Sequence, residues 1–285
     1  MDKKKLVLVG NGMAGVKTIE EILKLSSESF EITIFGSEPH PNYNRILLSK
    51  VLQGDTEVKD ITLNDWDWYT DNNIQLFTSE TVIKVDTKRK VVITDLGRIE
   101  PYDELILASG SLPFILPIPG ADKIGVTAFR DIKDTEVMLE TSKNYKKAAV
   151  IGGGLLGLEA ARGLLNLGMD VSVIHLSPYL MERQLDPMAG KLLQTELEKQ
   201  GMKFLLEKQT QEIFGDNRVE GLRFSDGSVL DADLVVMAVG IKPNVHLAKE
   251  SGIAINRGIV VNDYLQTSVT NIYSVGECAE HKGSV

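Results

Sequence analysis

Cysteine is the residue type that this sequence most lacks. Its 285 residues contain one cysteine, Cys278. A single cysteine excludes an internal disulfide, and it also excludes any all-cysteine metal or iron–sulfur site within the chain. We therefore predict no metal site in these residues.

Long apolar runs and an excess of positive charge are also missing. No stretch approaches about 18 uninterrupted apolar residues, the length of a membrane-spanning helix. Met1-Asp2-Lys3 leads straight into a strand without the apolar region of a signal peptide. These observations predict a cytoplasmic protein with no membrane partner. The net charge of −9 argues against a basic stripe for phosphates, so nucleic acid is not expected as a partner.

The sequence does contain two copies of a glycine pattern that is typical of dinucleotide binding. Each copy follows an apolar, β-branched strand and opens a helix, and the copies span Gly10–Gly15 and Gly152–Gly157. The first glycine permits the tight bend, the second lets the backbone approach a pyrophosphate, and the third lets helix and strand pack closely. The chain is therefore predicted to hold two dinucleotides, with contacts from Gly10, Gly12, Met13, Ala14 and Gly15 in the first turn and from Gly152, Gly154, Leu155, Leu156 and Gly157 in the second.

The elements around the two turns predict an α/β fold with two Rossmann-like domains. Each domain is expected to have three layers, with a parallel central sheet and a β-meander crossover. The segment Pro113–Gly120 is rich in proline and glycine, which favours a linker there, and the second domain is predicted to end near Pro243. The residues from Val245 onward would return to the first domain, so the second domain is predicted to be inserted within the first.

An acidic residue after the second predicted strand is a candidate ribose ligand. Glu38 lies 23 residues beyond Gly15, which is close to the spacing at which an acid accepts hydrogen bonds from ribose hydroxyls. A solvated loop acid is the alternative interpretation of Glu38.

Three further motifs resemble those of the pyridine-nucleotide flavoprotein disulfide reductases, which have two dinucleotide-binding domains. The motifs that match are the end of the FAD-side meander (Ala108-Ser109-Gly110), the exit from the NAD domain (Ala238–Asn244) and the second FAD motif (Thr267–Glu277). The resemblance implies an FAD-binding domain at residues 1–117 and 245–285 and an NAD(P)H-binding domain at residues 118–244. Glu277 stands where the family usually has Asp and is expected to bind the ribityl chain. The implied cofactor contacts are Ala108, Ser109, Gly110, Gly240, Gly276 and Glu277.

Two longer stretches resemble a narrower group. Pro41–Lys50 and Leu180–Asp186, together with His175-Leu176, are similar to the amino-terminal part of the large subunit in assimilatory NAD(P)H-dependent nitrite reductases. That resemblance implies an NAD(P)H-oxidising flavoprotein module that passes electrons to downstream iron–sulfur and siroheme centres, which are not in this chain. Relatives of this kind continue with a helix that faces the flavin, so the FAD-binding domain is expected to lack its C-terminal helix in these residues.

Cysteine is also missing where thiol-dependent members of the family need it. The corresponding segment, Leu47–Val51, offers no redox thiol, so electrons are predicted to leave toward an outside acceptor. Leu48-Ser49-Lys50 is similar to the pattern of ferredoxin and rubredoxin reductases, which implies a catalytic ion pair between Lys50 and Glu159 beside the flavin. On the alternative interpretation, Lys50 is a solvated helix lysine and Glu159 is a first-turn acid favoured by the helix dipole.

Arg45 and His175 are the last two candidate cofactor contacts. Arg45 is predicted either to contact an FAD phosphate or to lie in a surface loop. His175 ends the strand after the second glycine turn, where NAD-selective relatives have an acid and NADP-selective relatives have nearby arginines. Because neither is found beside His175, we expect a modest preference for NADH, with NADPH gaining as the pH falls and the histidine becomes cationic. The alternative is that His175 packs at the strand end.

Two other functions stay open on the sequence alone. One is a freestanding NADH:rubredoxin or ferredoxin reductase that donates electrons to a small iron–sulfur protein. The other is a nucleotide-binding scaffold without catalysis. FAD and NAD(P)H are the expected cofactors of the nitrite reductase module and of the freestanding reductase. The sequence leaves open whether the chain forms a homodimer.

Overall fold

A computed structural model describes residues 3–285 of the chain. Asp131 and Asp186 cap the helices that follow them, because each carboxylate accepts a hydrogen bond from a first-turn N–H group. The α-helices are α1 (Met13–Ser26), α2 (Leu48–Gln53), α3 (Trp66–Asp71), α4 (Ile132–Asn144), α5 (Leu155–Asn166), α6 (Pro187–Lys199) and α7 (His246–Glu250). Short 3₁₀ turns span Arg45–Leu47, Val58–Ile61 and Gly276–Cys278.

The strands before Pro113 are β1 (Lys4–Val9), β2 (Phe30–Phe35), β3 (Asn42–Tyr43), β4 (Thr62–Asn64), β5 (Ile74–Phe77), β6 (Val82–Asp86), β7 (Val91–Thr94), β8 (Ile99–Pro101), β9 (Glu104–Leu107) and β10 (Ser111–Pro113). The later strands are β11 (Val126–Ala128), β12 (Lys147–Ile151), β13 (Asp170–Ile174), β14 (Lys203–Leu205), β15 (Thr210–Phe214), β16 (Gly221–Phe224), β17 (Val229–Asp231), β18 (Leu234–Met237), β19 (Ile241–Pro243), β20 (Ile259–Val261), β21 (Ile272–Ser274) and β22 (Ala279–His281). Strands β1, β12 and β18 are apolar along most of their length, because both faces of a parallel sheet are covered.

The described residues form two compact units. The first comprises residues 3–44, Thr62–Leu112 and Lys242–Val285, and the second comprises Arg45–Ile61 and Pro113–Ile241. The segment 45–61 belongs to the second unit because α2 packs on α4 and α5. Leu52 of α2 is fully buried, and a Cβ atom at Gly163 of α5 would lie 2.5 Å from the Leu52 Cγ atom. The predicted nucleotide-binding domains place this segment in the first domain, and their boundaries stay a prediction.

The first unit is built on a five-stranded parallel sheet in the order β21-β9-β1-β2-β5. Strand β1 lies in the middle, with Val7 opposite Thr33 on one side and Leu105 on the other. Its side chains alternate: Leu6 and Leu8 belong to one core cluster, and Val7 and Val9 belong to the other. The carboxyl end of this central strand leads directly into the first glycine turn.

The second unit repeats that arrangement with different residues. Its five-stranded parallel sheet has the order β11-β18-β12-β13-β14, with β12 in the middle. Each unit also contains a three-stranded antiparallel meander, β6-β7-β8 in the first and β15-β16-β17 in the second. The predicted α/β fold with two Rossmann-like sheets and meander crossovers is thus confirmed. Within residues 3–285, no helix is both long and apolar enough to cross a bilayer.

Candidate nucleotide-binding sites

The first glycine turn needs glycine at its two outer positions because the backbone is too close for a side chain. Gly10 has a φ of +108°, and a Cβ atom there would lie 2.1 Å from the Ala108 carbonyl oxygen. At Gly15 a Cβ atom would lie 2.8 Å from the Gly10 carbonyl oxygen. These two contacts bring β1, α1 and the end of β9 together, so Gly10 and Gly15 serve the fold of the turn.

The middle glycine of the first turn is in open space. Gly12 is the N-cap residue of α1 with a φ of −85°, which any L residue can adopt, and a Cβ atom there would meet nothing within 4 Å. The backbone N–H groups that begin at Met13 carry the positive end of the helix dipole. An open space in front of free N–H groups fits a dinucleotide phosphate, which a side chain at Gly12 would displace.

The second turn has the same two-part construction. Gly152 has a φ of +125°, and a Cβ atom there would lie 2.3 Å from the Ala238 carbonyl oxygen; at Gly157 it would lie 2.0 Å from the Gly152 carbonyl oxygen. Gly154 is the N-cap residue of α5 with a φ of −83°, and nothing lies within 4 Å of its Cβ position. Leu155 and Leu156, the next two residues, are exposed in spite of their apolar side chains. A second dinucleotide phosphate therefore fits here.

The residue between the first two glycines differs between the turns. Asn11 accepts a hydrogen bond from the Tyr69 hydroxyl at 2.8 Å and donates one to the His40 carbonyl oxygen at 3.3 Å. Gly153, its counterpart, donates its N–H to Nδ1 of His175 at 3.1 Å. A Cβ atom at Gly153 would lie 2.7 Å from the His175 ring, so the ring occupies the place of a side chain. The sequence did not indicate either of these braces.

The candidate ribose contacts Glu38 and His175 follow two strands whose ends lie beside the glycine turns. After β2, the Glu38 carboxylate accepts a hydrogen bond from the Tyr43 hydroxyl at 2.7 Å. After β13, His175 is buried, and its Nε2 atom lies 2.8 Å from the Glu182 carboxylate. Because Nδ1 accepts the Gly153 N–H, the ring proton is on Nε2 and is donated to Glu182. An acid therefore does stand at the end of β13, contributed by a later loop. The ribose contacts of Glu38 and His175 stay predictions.

The predicted ion pair between Lys50 and Glu159 is not formed. Lys50 is exposed, and among the described residues its ammonium group forms no ion pair with Glu159. The buried Ser49, the neighbour of Lys50 on α2, is instead the side chain that lowers the pKa of the Glu159 carboxyl. Neighbouring residues of a helix point about 100° apart, so the face of α2 that meets α5 carries Ser49 and leaves Lys50 in solvent. The catalytic roles of Lys50 and Glu159 stay predictions.

Burial shifts the pKa of the Glu159 carboxyl. It raises the pKa of the Glu159 carboxyl above its ordinary value of 4.5, and the hydrogen bond with the Ser49 hydroxyl offsets part of that rise. The Ser49 hydroxyl donates a long hydrogen bond to the Ile46 carbonyl oxygen at 3.4 Å. Glu159 is thus a half-buried acid on the first turn of α5.

The other predicted site residues have identifiable partners. The Arg45 guanidinium donates to the Arg130 carbonyl oxygen at 2.8 Å. In the first unit, Ser109 donates to the Asn244 carbonyl oxygen and Ser111 donates to the Glu277 carboxylate, each at 2.7 Å. Gly110, Gly240 and Gly276 all have positive φ angles, of +64°, +112° and +78°.

Gly276 connects the second FAD motif with the first glycine turn. A Cβ atom at Gly276 would lie 2.8 Å from the Ala14 Cβ atom in the first turn of α1. The structure thus brings Met13, Ala14, Gly276 and Glu277 to one end of the first sheet. Ser111, which the sequence did not single out, belongs there through its bond to Glu277.

Comparisons with known proteins agree with this architecture. The family described as pyridine nucleotide-disulphide oxidoreductase matches residues 4–285. The chain is 78% identical over 283 residues to the NAD(P)H nitrite reductase of Bacillus subtilis (strain 168), covering 99% of this chain and 35% of that protein. It is 61% identical over 285 residues to the assimilatory nitrate reductase electron transfer subunit of the same organism, covering 100% of this chain and 37% of that protein.

A solved structure extends the comparison. The NADH:rubredoxin oxidoreductase from Clostridium acetobutylicum is similar with a TM-score of 0.84 and 33% sequence identity, over 99% of this chain and 70% of that one. The chain thus matches most of that structure but spans only about a third of each of the two Bacillus proteins.

Proposed function

The chain belongs to the pyridine nucleotide-disulphide oxidoreductase family, and on that premise we propose that it is the electron-input module of an NAD(P)H-dependent nitrite reductase. Enzymes of this family are FAD- and NAD(P)H-dependent oxidoreductases. The chemistry that FAD would supply when bound is hydride acceptance from the nicotinamide, which is a property of the cofactor itself. The chain's residues bind and orient the two nucleotides.

The single observation that carries the proposal is the duplicated open turn. Gly12 and Gly154 each leave the N-terminus of a long helix free at the carboxyl end of a central parallel strand. We assign the first turn to FAD, because Gly276 and Glu277 of the second FAD motif lie at the same end of that sheet. The second turn is assigned to NAD(P)H, with the N–H groups that follow Gly154 on its pyrophosphate.

The chain also has no thiol relay that could take the electrons. Cys278 is fully buried, and its Sγ atom lies 3.3 Å from the Val275 carbonyl oxygen and 3.4 Å from the Ser274 hydroxyl. Segment 47–51, where a redox cysteine would stand, contains none. The electrons therefore leave for an acceptor outside these residues, which we propose to be the iron–sulfur and siroheme centres of a nitrite reductase.

The choice of that acceptor rests on the 78% identity to the Bacillus nitrite reductase. A second candidate is favoured by the solved NADH:rubredoxin oxidoreductase, most of whose length this chain matches. On that reading the acceptor is a separate small iron–sulfur protein. Homodimer formation and a cytoplasmic location stay predictions of the sequence.

One set of assays on the purified chain with added FAD tests the proposal. We expect NADH to reduce ferricyanide at enzymatic rates, and we expect no ammonium when NADH and nitrite are incubated anaerobically, because one cysteine cannot supply an iron–sulfur ligand set. The matched control is the same chain without FAD. Failure to oxidise NADH would favour the scaffold interpretation, and ammonium production would contradict the modular one. Rapid reduction of purified rubredoxin would favour the second candidate.

A further inference from the structure

The loop between β13 and α6 folds back onto the second glycine turn and is held there. Leu180 is fully buried, and a Cβ atom at Gly153 would lie 2.9 Å from its Cδ2 atom. The next residue, Met181, donates its N–H to the Gly153 carbonyl oxygen at 3.0 Å and has a φ of +57°. These anchors immediately precede Glu182, so its backbone is fixed relative to the turn.

The side chain of Glu182 is fixed as well. The Gly153 N–H points at Nδ1 of His175, and Nε2 of the same ring donates to the Glu182 carboxylate at 2.8 Å. The histidine side chain is 10% exposed, whereas that of Glu182 is 35% exposed. A buried, oriented ring therefore holds a carboxylate whose outer face is open to solvent and free to accept further hydrogen bonds.

The place of this carboxylate suggests its role. In a nucleotide-binding sheet of this kind, an acid at the end of the strand after the glycine turn binds the adenosine ribose hydroxyls. Here that strand is β13, and His175 stands at its end. We propose that Glu182, positioned by His175, replaces that acid and makes the second unit prefer NADH over NADPH. The carboxylate would accept from the ribose 2′-hydroxyl and repel a 2′-phosphate. This inference rests on the proposed function, because it assumes that the second turn takes NAD(P)H.

Nucleotide binding tests the inference without any catalytic turnover. Calorimetric titrations of NAD⁺ and NADP⁺ give the ratio of their dissociation constants for the wild type and for Glu182→Gln. The amide keeps an acceptor for His175 and removes the charge. We expect NADP⁺ to bind about tenfold more tightly in the variant while NAD⁺ changes by less than about threefold. Glu196→Gln is the matched control, since Glu196 is an exposed acid of α6 paired with Lys199, and it should leave both constants unchanged.

The positioning role of His175 has its own readout. A glutamine at this position can accept from the Gly153 N–H and donate to Glu182, whereas a leucine can do neither. His175→Gln should therefore keep the wild-type preference for NAD⁺, and His175→Leu should lose it. Should His175→Leu fail to fold, the Glu182→Gln titration decides alone.

The outcomes separate this inference from the proposed function. An unchanged ratio of dissociation constants in Glu182→Gln would overturn the inference, as would a wild type that binds NADP⁺ as tightly as NAD⁺. If the altered ratio is found in a chain that oxidises no NADH, the inference holds and the proposed function fails. If neither nucleotide binds, both fail.

Discussion

In the first glycine turn the residue after Gly10 is an asparagine held by the Tyr69 hydroxyl, whereas in the second turn the residue after Gly152 is a glycine held by the His175 ring. The outer glycines of both turns face a carbonyl oxygen at distances that no side chain tolerates. The comparison shows that backbone packing requires the outer glycines, whereas the residue after the first glycine varies. In the second turn the same ring also connects the turn directly to Glu182, the acid at its strand end.

The helices that follow the two glycine turns, α1 and α5, differ in a similar way near their N-termini. Two residues past Gly157 is Glu159, which is half-buried beside Ser49. Two residues past Gly15 is Lys17, which is exposed and paired with Glu20 and Glu21. The helix of the second turn thus carries a desolvated acid, and the helix of the first turn carries a solvated ion-pair network.

The largest effect is expected where the two turns are alike. Gly10→Ala and Gly152→Ala both force a Cβ atom to within 2.1 and 2.3 Å of a carbonyl oxygen, at φ angles of +108° and +125°. We expect each to lower the free energy of unfolding by about 3 kcal/mol or more. Urea unfolding of both variants beside the wild type measures this. A loss of stability in one variant and none in the other would mean that the two turns do not have the same backbone conformation.

A smaller effect is expected where the turns differ. Gly153→Ala places a methyl group 2.7 Å from the His175 ring and should cost about 2 kcal/mol of stability. Asn11→Ala removes hydrogen bonds to Tyr69 and His40 and should cost about 1 kcal/mol. Urea unfolding of both variants beside the wild type compares their free energies of unfolding.

A double variant isolates the cause of the first of these losses. A His175→Ala background removes the ring and leaves only the end of the flexible Leu180 side chain, at 2.9 Å, near the added methyl group, so Gly153→Ala should then cost less. An undiminished cost in that background would show that contact with the ring is not the source of the loss.

The smallest effect concerns the acid of α5. Because burial raises the pKa of Glu159 in the folded chain, keeping it ionised at neutral pH costs stability, and that cost is absent below the ordinary value of 4.5. Glu159→Gln should therefore raise the free energy of unfolding at pH 7 by less than about 1 kcal/mol and have no such benefit at pH 4. Thermal melts at the two pH values test this.

Lys17→Gln is the matched control in the first unit. It removes an attractive partner of Glu20 and Glu21, whose pKa values are lowered mainly by their lysine partners. Stability at pH 7 should therefore fall slightly, opposite in sign to the change in Glu159→Gln. The same sign in both variants would contradict the contrast between the two helices.

The sequence predicted those parts of the molecule that depend on local pattern. The outer glycines, the apolar strands before them and the two-sheet fold follow from residue types at fixed spacing, and all are found. The residue that faces Glu159 was missed because the motif does not say which side of a short helix turns inward: Ser49 and Lys50 are neighbours, and packing against α5 decides between them. Glu182 was missed because its carboxylate reaches the strand end only after the loop folds back at Leu180.

The most direct test of the central claim, that the two turns hold different nucleotides, uses the middle glycines. Gly12→Ala and Gly154→Ala add a methyl group in open space at ordinary φ angles, so both nucleotide-free variants should melt like the wild type. FAD content by absorbance and NAD⁺ affinity by calorimetry are then measured on each. We predict that Gly12→Ala binds FAD at least about tenfold more weakly and keeps NAD⁺ affinity, and that Gly154→Ala does the reverse. Loss of the same nucleotide in both variants, or of neither, would contradict the account.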